Sequence, residues 1–191
     1  LQCNACHDDT YNYASQRSVA AVTAFYNYSS KNTKKLLFNY TFPDVGKSNM
    51  CMMCHVGRES GQTLAAIAAL PSSGASFVNY SSQSFINTHY LTAGATIFGV
   101  SGYEFAGAGS YTDPVNYQHK SLGTATLPNG RAGVGPCVTC HMQATTVLST
   151  GTKASHKFKP EFSDVGAGAN CVGCHTAQGV DVLSDALLAV H

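Results

Sequence analysis

The eight cysteines of this chain form four C-x-x-C pairs, and a histidine directly follows each pair. Two thiols three positions apart lie on one side of a helical turn, and the next residue extends that side. C-x-x-C-H is the attachment signature of c-type haem: the thiols bond to one porphyrin edge and the histidine gives iron an axial nitrogen. The sequence therefore predicts four c-type haems, held by Cys3, Cys6, Cys51, Cys54, Cys137, Cys140, Cys171 and Cys174, with proximal ligands His7, His55, His141 and His175.

Zinc and disulfides are the alternatives for the same cysteines. Histidine makes up eight of the 191 residues. The probability that a histidine directly follows all four C-x-x-C pairs by chance is therefore on the order of a few in a million. Zinc would need two C-x-x-C units per ion and leaves the four histidines unexplained. Disulfides within C-x-x-C close very small loops, which gain little stability and strain easily. The pattern therefore favours haem over both.

Four histidines remain once the proximal ligands are assigned. A low-spin electron-transfer haem needs a second axial ligand, usually histidine or methionine. The four methionines lie inside or beside a C-x-x-C-H motif, so each is tied to the proximal side of its own haem and is expected to pack on porphyrin. The sequence thus predicts bis-histidine ligation and low reduction potentials, with distal ligands His89, His119, His156 and His191.

Charge is scarce in this chain and excludes some classes of protein. Charged residues make up 11% of the sequence, with a net charge of +1, whereas about a quarter is usual in soluble domains. Such a chain cannot build the basic surface that nucleic-acid binding needs.

The longest plainly apolar run, residues 64–70, is far too short to span a bilayer. At this length a single tetrahaem domain over residues 1–191 is expected.

The predicted fold is mostly coil, with a few short α-helices and minimal β structure, organised around four stacked haems. Residue spacing predicts helices over 13–26, 61–70 and 180–191 and a strand over 36–42. A turn is expected at residues 128–130, and residues 71–136 form a long loop-rich middle. Porphyrin faces would supply the apolar surface that such loops pack against.

With these motifs in place, the chain resembles multihaem c-type cytochromes, and several runs look like segments of extracellular cytochromes of metal-reducing bacteria. The runs are HYLTAGATIFG from His89, HKSLG from His119, GPCVTCHM from Gly135 and SHKF from Ser155. Four haems on about two hundred residues is similar to the tetrahaem filament-forming cytochromes, the subunits of cytochrome nanowires.

That resemblance implies an exported protein at the cell surface or outside the cell, with a periplasmic location as the alternative. Since Cys3 lies so close to the start, we expect the processed form of a chain that carried a signal peptide. The resemblance also implies a homopolymer in which a histidine of one subunit ligates iron in the next. His191 or another of the remaining histidines could have that role.

Three functions are compatible with four haems: a conductive filament subunit, a soluble periplasmic shuttle and a multihaem reductase. A reductase needs an open iron position, and eight histidines for eight axial positions leave none. Transient redox partners use complementary charge, whereas permanent interfaces are depleted in charge and rich in tyrosine. The sequence therefore favours an electron carrier, not an enzyme: a filament subunit that receives electrons from partner cytochromes and delivers them to an external acceptor.

Asn27, Asn39 and Asn79 match the N-glycosylation sequon. About this number of matches is expected by chance, so they carry no inference.

Overall fold

The computed structural model describes a part of the chain that includes three of the four C-x-x-C-H motifs. The described residues are 2–9, 15–28, 36–68, 81, 85–105, 107, 118–124, 133–142, 144–148, 151–154, 156 and 158. The predicted helix over 180–191 and the turn at 128–130 lie outside them, as do Cys171, Cys174, His175 and His191.

The described chain contains four short α-helices, three 3-10 helices and two strand pairs. The α-helices are α1 (Asn49–His55), α2 (Gly61–Ala68), α3 (Ala93–Ile97) and α4 (Gly135–His141). The strands are β1 (Thr23–Tyr28), β2 (Leu36–Thr41), β3 (Ala144–Leu148) and β4 (Gly151–Ala154), and the 3-10 helices are Cys3–Ala5, Gly46–Ser48 and Gln118–Ser121. This agrees with the predicted coil-rich fold, in which helices are few and β structure is minimal.

Two compact units divide the chain. The first consists of Leu1–Asp44 and Asn49–Lys120, and the second of Val45–Ser48 and Ser121–His191. The single tetrahaem domain stays a prediction.

An antiparallel hairpin of β1 and β2 forms the sheet of the first unit, with Thr23 opposite Thr41 and Tyr26 opposite Phe38. The predicted strand is confirmed over Leu36–Thr41. The predicted helix over 13–26 is wrong: its last residues belong to β1, and the described part of residues 15–22 contains no helix. The physical reason is a period of two, since Ala24 and Tyr26 are buried while the residues between and beside them are exposed.

Aromatic side chains fill the core of the first unit. Phe42 is buried directly after β2 and meets the Phe98 ring edge to face, with centroids 5.6 Å apart. Tyr26 is also buried, and its hydroxyl donates a hydrogen bond to the Val56 carbonyl oxygen at 2.8 Å. That bond ties β1 to the residue that follows α1.

Buried polar side chains fix the ends of α1 and α2. The Asn49 amide donates to the Val19 carbonyl oxygen at 2.9 Å and to Asp44 Oδ1 at 2.7 Å. Ser60 and Thr63 cap α2 reciprocally, since each backbone N–H donates to the hydroxyl of the other, at 2.9 and 3.3 Å. This capping satisfies N–H groups that a helix start leaves unpaired. The predicted helix from residue 61 is confirmed through Ala68.

α1 packs on α3 at a glycine. The Met52 side chain is fully buried, and a Cβ atom added to Gly94 would lie 2.5 Å from Met52 Sδ and 2.8 Å from the His55 carbonyl oxygen. Only glycine permits this approach. The expectation that Met52 packs on porphyrin is therefore wrong, because its side chain is directed at α3.

In the second unit, Ser48 holds the start of α4. Its hydroxyl donates to the Val134 carbonyl oxygen at 2.7 Å and accepts from the Val138 N–H at 3.1 Å. Pro136 in the first turn suits a helix start, where no N–H partner is needed. β3 and β4 then form a second antiparallel hairpin, with Leu148 opposite Gly151.

Within the described residues, none of the helices has the length and apolar character needed to cross a membrane.

We predict that Gly94→Ala lowers the free energy of unfolding by about 1–3 kcal/mol, since the added methyl group meets the His55 carbonyl oxygen and forces α1 and α3 apart. Urea denaturation followed by circular dichroism measures this. Ala93→Ser, at an exposed position of the same helix, is the control and should change the value by no more than about 0.5 kcal/mol. Equal stability of the two variants would contradict the close packing.

A second prediction concerns alkaline pH. Burial, and secondarily the nearby Tyr40 phenol, raises the pKa of Tyr26 from 10.0 to about 12. The unfolded chain therefore loses this proton first, and the stability contributed by neutral Tyr26, complete below pH 10, is lost as the pH rises through 12.

Tyr26→Phe tests this titration. At neutral pH we expect a loss of about 1 kcal/mol, because the Val56 carbonyl oxygen loses its donor. The difference from the unsubstituted protein should shrink between pH 10 and 12 in urea unfolding, whereas Tyr90→Phe, at an exposed position, should show no such convergence. Parallel pH profiles for Tyr26→Phe and the unsubstituted protein would contradict the raised pKa.

Candidate functional site

The first C-x-x-C-H motif is a tight turn. Cys3–Ala5 form a 3-10 helix, and the backbone N–H groups of Cys6 and His7 both donate to the Cys3 carbonyl oxygen, at 3.1 and 3.0 Å. The turn holds the backbone of Cys3, Cys6 and His7 within one short segment. Cys3 is exposed and Cys6 is half-buried.

The second motif lies on α1, where its positions i, i+3 and i+4 share one face. Cys54 and His55 are exposed and Cys51 is half-buried. Met52, between the cysteines, is turned inward against α3, whereas Met53 is 56% exposed. α1 thus buries one side and presents the motif side outward.

The third motif lies on α4 in the same way. Val138 and Thr139 are buried between the two cysteines, and Cys140 is half-buried while His141 is exposed. The hydrogen bonds of Ser48 fix the buried side of this helix. The cysteines and histidine of all three described motifs therefore keep access to a ligand.

Two of the predicted proximal histidines are oriented by backbone carbonyls. Nδ1 of His7 lies 3.2 Å from the Ser15 carbonyl oxygen, and Nδ1 of His141 lies 2.8 Å from the Phe158 carbonyl oxygen. A carbonyl only accepts hydrogen bonds, so Nδ1 carries the proton and Nε2 is the basic nitrogen. This is the tautomer that a histidine needs to ligate a metal through Nε2, and the hydrogen bond strengthens it as a ligand.

The segment at residues 15–17 folds back over the first motif. The Arg17 N–H donates to the Cys6 carbonyl oxygen at 2.9 Å, and its guanidinium donates to the Asn4 carbonyl oxygen at 2.9 Å and pairs with Asp8 at 3.3 Å. The ion pair is about half exposed and contributes at most about 1 kcal/mol. The backbone bonds are the main restraint that keeps the Ser15 carbonyl oxygen beside His7.

Phe158 has an unusual backbone. Its φ of 57° lies in the left-handed region, which costs a bulky L-residue roughly 1–2 kcal/mol. Its carbonyl oxygen accepts from His141, and its ring meets the His156 ring edge to face with centroids 6.0 Å apart. One residue thus contacts two histidines.

The predicted distal histidines in the described chain are all exposed: His89, His119 and His156. His89 precedes a segment docked on the residues that follow α1. The Gly57 N–H donates to the Leu91 carbonyl oxygen at 2.8 Å, and the Arg58 guanidinium lies 4.2 Å from the centre of the Tyr90 ring. His119 lies on the 3-10 helix Gln118–Ser121.

The residues present fit covalent haem. Each described motif holds two cysteines and a histidine within one short turn or helix, none of these nine residues is buried, and two of the imidazoles are in the ligating tautomer. No disulfide joins any of the six described cysteines. The described residues likewise include no cluster of three or more His, Cys, Asp or Glu that could hold a metal ion by itself.

Sequence reasoning missed the two backbone acceptors, at Ser15 and Phe158. A carbonyl oxygen is present at every residue, so no residue type marks it. The left-handed conformation of Phe158 has no sequence signal either, since glycine or asparagine is the usual residue there.

Comparison with known proteins agrees with this site. The family model for cytochrome c554 and c-prime matches residues 2–73. The C-type polyheme cytochrome OmcC of Geobacter sulfurreducens is 38% identical over 185 residues, which cover 92% of this chain and 21% of OmcC. The C-type polyheme cytochrome OmcB of the same organism is 36% identical over 185 residues, which cover 92% of this chain and 22% of OmcB.

The chain thus spans about a fifth of the length of these curated relatives. No solved structure matches it. Since the similarity extends over nearly the whole chain, the comparisons support a multihaem c-type cytochrome, a kind of protein to which haem c is bound covalently.

Proposed function

We propose that this protein transfers electrons through four covalently bound haems c. The observation that carries the proposal is the shared geometry of the described motifs, where paired thiols and an imidazole lie on an accessible face. The thiols would be those of Cys3, Cys6, Cys51, Cys54, Cys137, Cys140, Cys171 and Cys174. The proximal ligands would be His7, His55, His141 and His175.

When bound, haem iron alternates between ferric and ferrous states and thereby carries one electron. The protein supplies the ligands and tunes them. At His7 and His141 the carbonyl acceptors fix the tautomer and the orientation of the imidazole.

The distal ligands of this proposal are His89, His119, His156 and His191. Exposure of the three described members supports it, because each imidazole is accessible. Methionine is a poor competitor: Met52 is buried against α3, and Met53 lies on the motif helix itself. With two histidines per iron no coordination position is open for a substrate, so the protein is proposed to be an electron carrier and not an enzyme.

For assembly we propose the subunit of an extracellular conductive filament. Its self-contacts would be permanent, and a histidine of one subunit could ligate iron in the next. The low charge supports it, as do the large exposed apolar side chains of the described residues, among them Phe85 at 89%, Phe105 at 69% and Phe25 at 62% exposure. Electrons would enter from partner cytochromes and leave to an external acceptor.

A second candidate is an electron carrier that does not polymerise, such as a periplasmic shuttle. The alignments favour it, because nearly the whole chain is similar to about a fifth of each longer relative. In those relatives the similar segment is continuous with further polypeptide.

The haem count tests the first proposal. We expect four haems per chain by mass spectrometry under denaturing conditions. Each double cysteine variant should carry one haem fewer, since both thioether bonds of that haem are lost. The variants are Cys3→Ser/Cys6→Ser, Cys51→Ser/Cys54→Ser, Cys137→Ser/Cys140→Ser and Cys171→Ser/Cys174→Ser. Met53→Leu, a matched change between Cys51 and Cys54 at an exposed position, should keep all four. A double cysteine variant that retains four covalent haems would contradict the assignment of that motif.

The state of assembly separates the two candidates. We expect the haem-loaded protein to form filaments in negative-stain electron micrographs and to sediment as a polymer. Phe85→Ser/Phe105→Ser should weaken assembly at least tenfold in critical concentration, because two exposed apolar rings are lost, whereas Gln62→Ser, at an exposed polar position, should not. A monomer at all concentrations would contradict the filament and support the second candidate.

A further inference from the structure

One residue, Phe158, contacts two histidines of the second unit. Its carbonyl oxygen lies 2.8 Å from Nδ1 of His141, and its ring is nearly perpendicular to the His156 ring, at 87° with centroids 6.0 Å apart. Both histidines are ligands in the function proposed above, one proximal and one distal. The geometry at Phe158 therefore bears on which iron His156 can reach.

The hydrogen bond fixes the direction in which His141 binds. Since the Nδ1–H of His141 donates to the Phe158 carbonyl oxygen, Nε2, on the opposite side of the imidazole, is the nitrogen that would bind iron. Phe158 would then lie behind His141 as seen from that iron. The whole His141 ring would separate the Phe158 carbonyl oxygen from a haem held by Cys137 and Cys140.

His156 is too close to Phe158 along the chain to reach the far face of that haem. It lies two residues earlier, and two residues of extended chain span at most about 7 Å. The sixth ligand must approach iron from the face opposite His141. To do so the chain would have to pass from behind His141 around the porphyrin edge within two residues, while the His156 ring stays against the Phe158 ring.

We infer that His156 is the sixth ligand of a different haem from the one held by Cys137, Cys140 and His141. Phe158 is then a positioning residue between ligands of two irons: its carbonyl orients the proximal ligand of one, and its ring orients the distal ligand of the other. Both contacts come from one residue, whose backbone is left-handed. This inference rests on the proposed ligand role of His156.

The assignment of His156 is tested by measuring the spin state of the haems in two proteins, one with and one without the haem of His141. In the otherwise unsubstituted, haem-loaded protein, His156→Ala should convert one low-spin haem per chain to high spin, measured by quantitative electron paramagnetic resonance. In the Cys137→Ser/Cys140→Ser background, which lacks the haem of His141, His156→Ala should still add one high-spin haem.

The outcomes are distinguishable. If the added high-spin haem disappears in the Cys137→Ser/Cys140→Ser background, His156 ligates the haem of His141 and the inference is overturned, while its ligand role stands. If His156→Ala gives no high-spin haem in either background, both the ligand role and the inference are overturned. Should the cysteine variant fail to fold, an electron cryomicroscopy map of the loaded protein decides, since the iron bound by His141 must have a sixth ligand other than His156.

The positioning role of Phe158 has its own readout. Phe158→Leu keeps a carbonyl at this place but removes the aromatic edge against His156, and it changes packing beside His141. We expect shifted potentials for two haems in a spectroelectrochemical titration. Tyr103→Leu, a change of an aromatic residue in the first unit, is the control and should leave those two potentials unchanged. A shift confined to a single haem in Phe158→Leu would overturn the link between two irons.

Discussion

The one-sided character of each C-x-x-C-H turn is the constraint on which the described structure depends. A turn that presents two thiols and an imidazole on one face must be held by its other face. α1 does this through Met52 and the close approach at Gly94, and α4 through Ser48 and the buried Val138. The first motif has no buried residues, and the returning segment at residues 15–17 holds it by backbone hydrogen bonds.

Helices of five to eight residues are too short to be stable alone. Polar contacts at their ends therefore have a larger role here than in a helical bundle. Asn49 links α1 to the preceding chain, and Ser60 with Thr63 closes the start of α2. Each of these side chains is buried and has hydrogen-bond partners, so the short elements are fixed without a long amphipathic face.

The sequence was informative where covalent chemistry or a strong local pattern acts. The motif spacing predicted that the cysteines and histidine of a motif share one side of a helical turn, as in α1 and α4, and the alanine-rich run from residue 61 predicted α2. The helix predicted over residues 13–26 was wrong. Apolar residues at 22, 24 and 25 fit a helical spacing, but pairing with β2 imposes a period of two. The sequence also misplaced Met52, whose burial depends on a glycine 42 positions later in the sequence. The carbonyl acceptors beside His7 and His141 were out of reach, since they depend on backbone path alone.

The opposite exposure of two adjacent methionines has a consequence for oxidative damage. Met53 is 56% exposed, whereas Met52 is fully buried against α3. Methionine sulfoxide forms on accessible thioethers and turns an apolar side chain into a polar one. Peroxide should therefore modify Met53 and spare Met52, so that the sulfoxide forms on the outward surface of α1 and the contact that holds this helix in place stays intact.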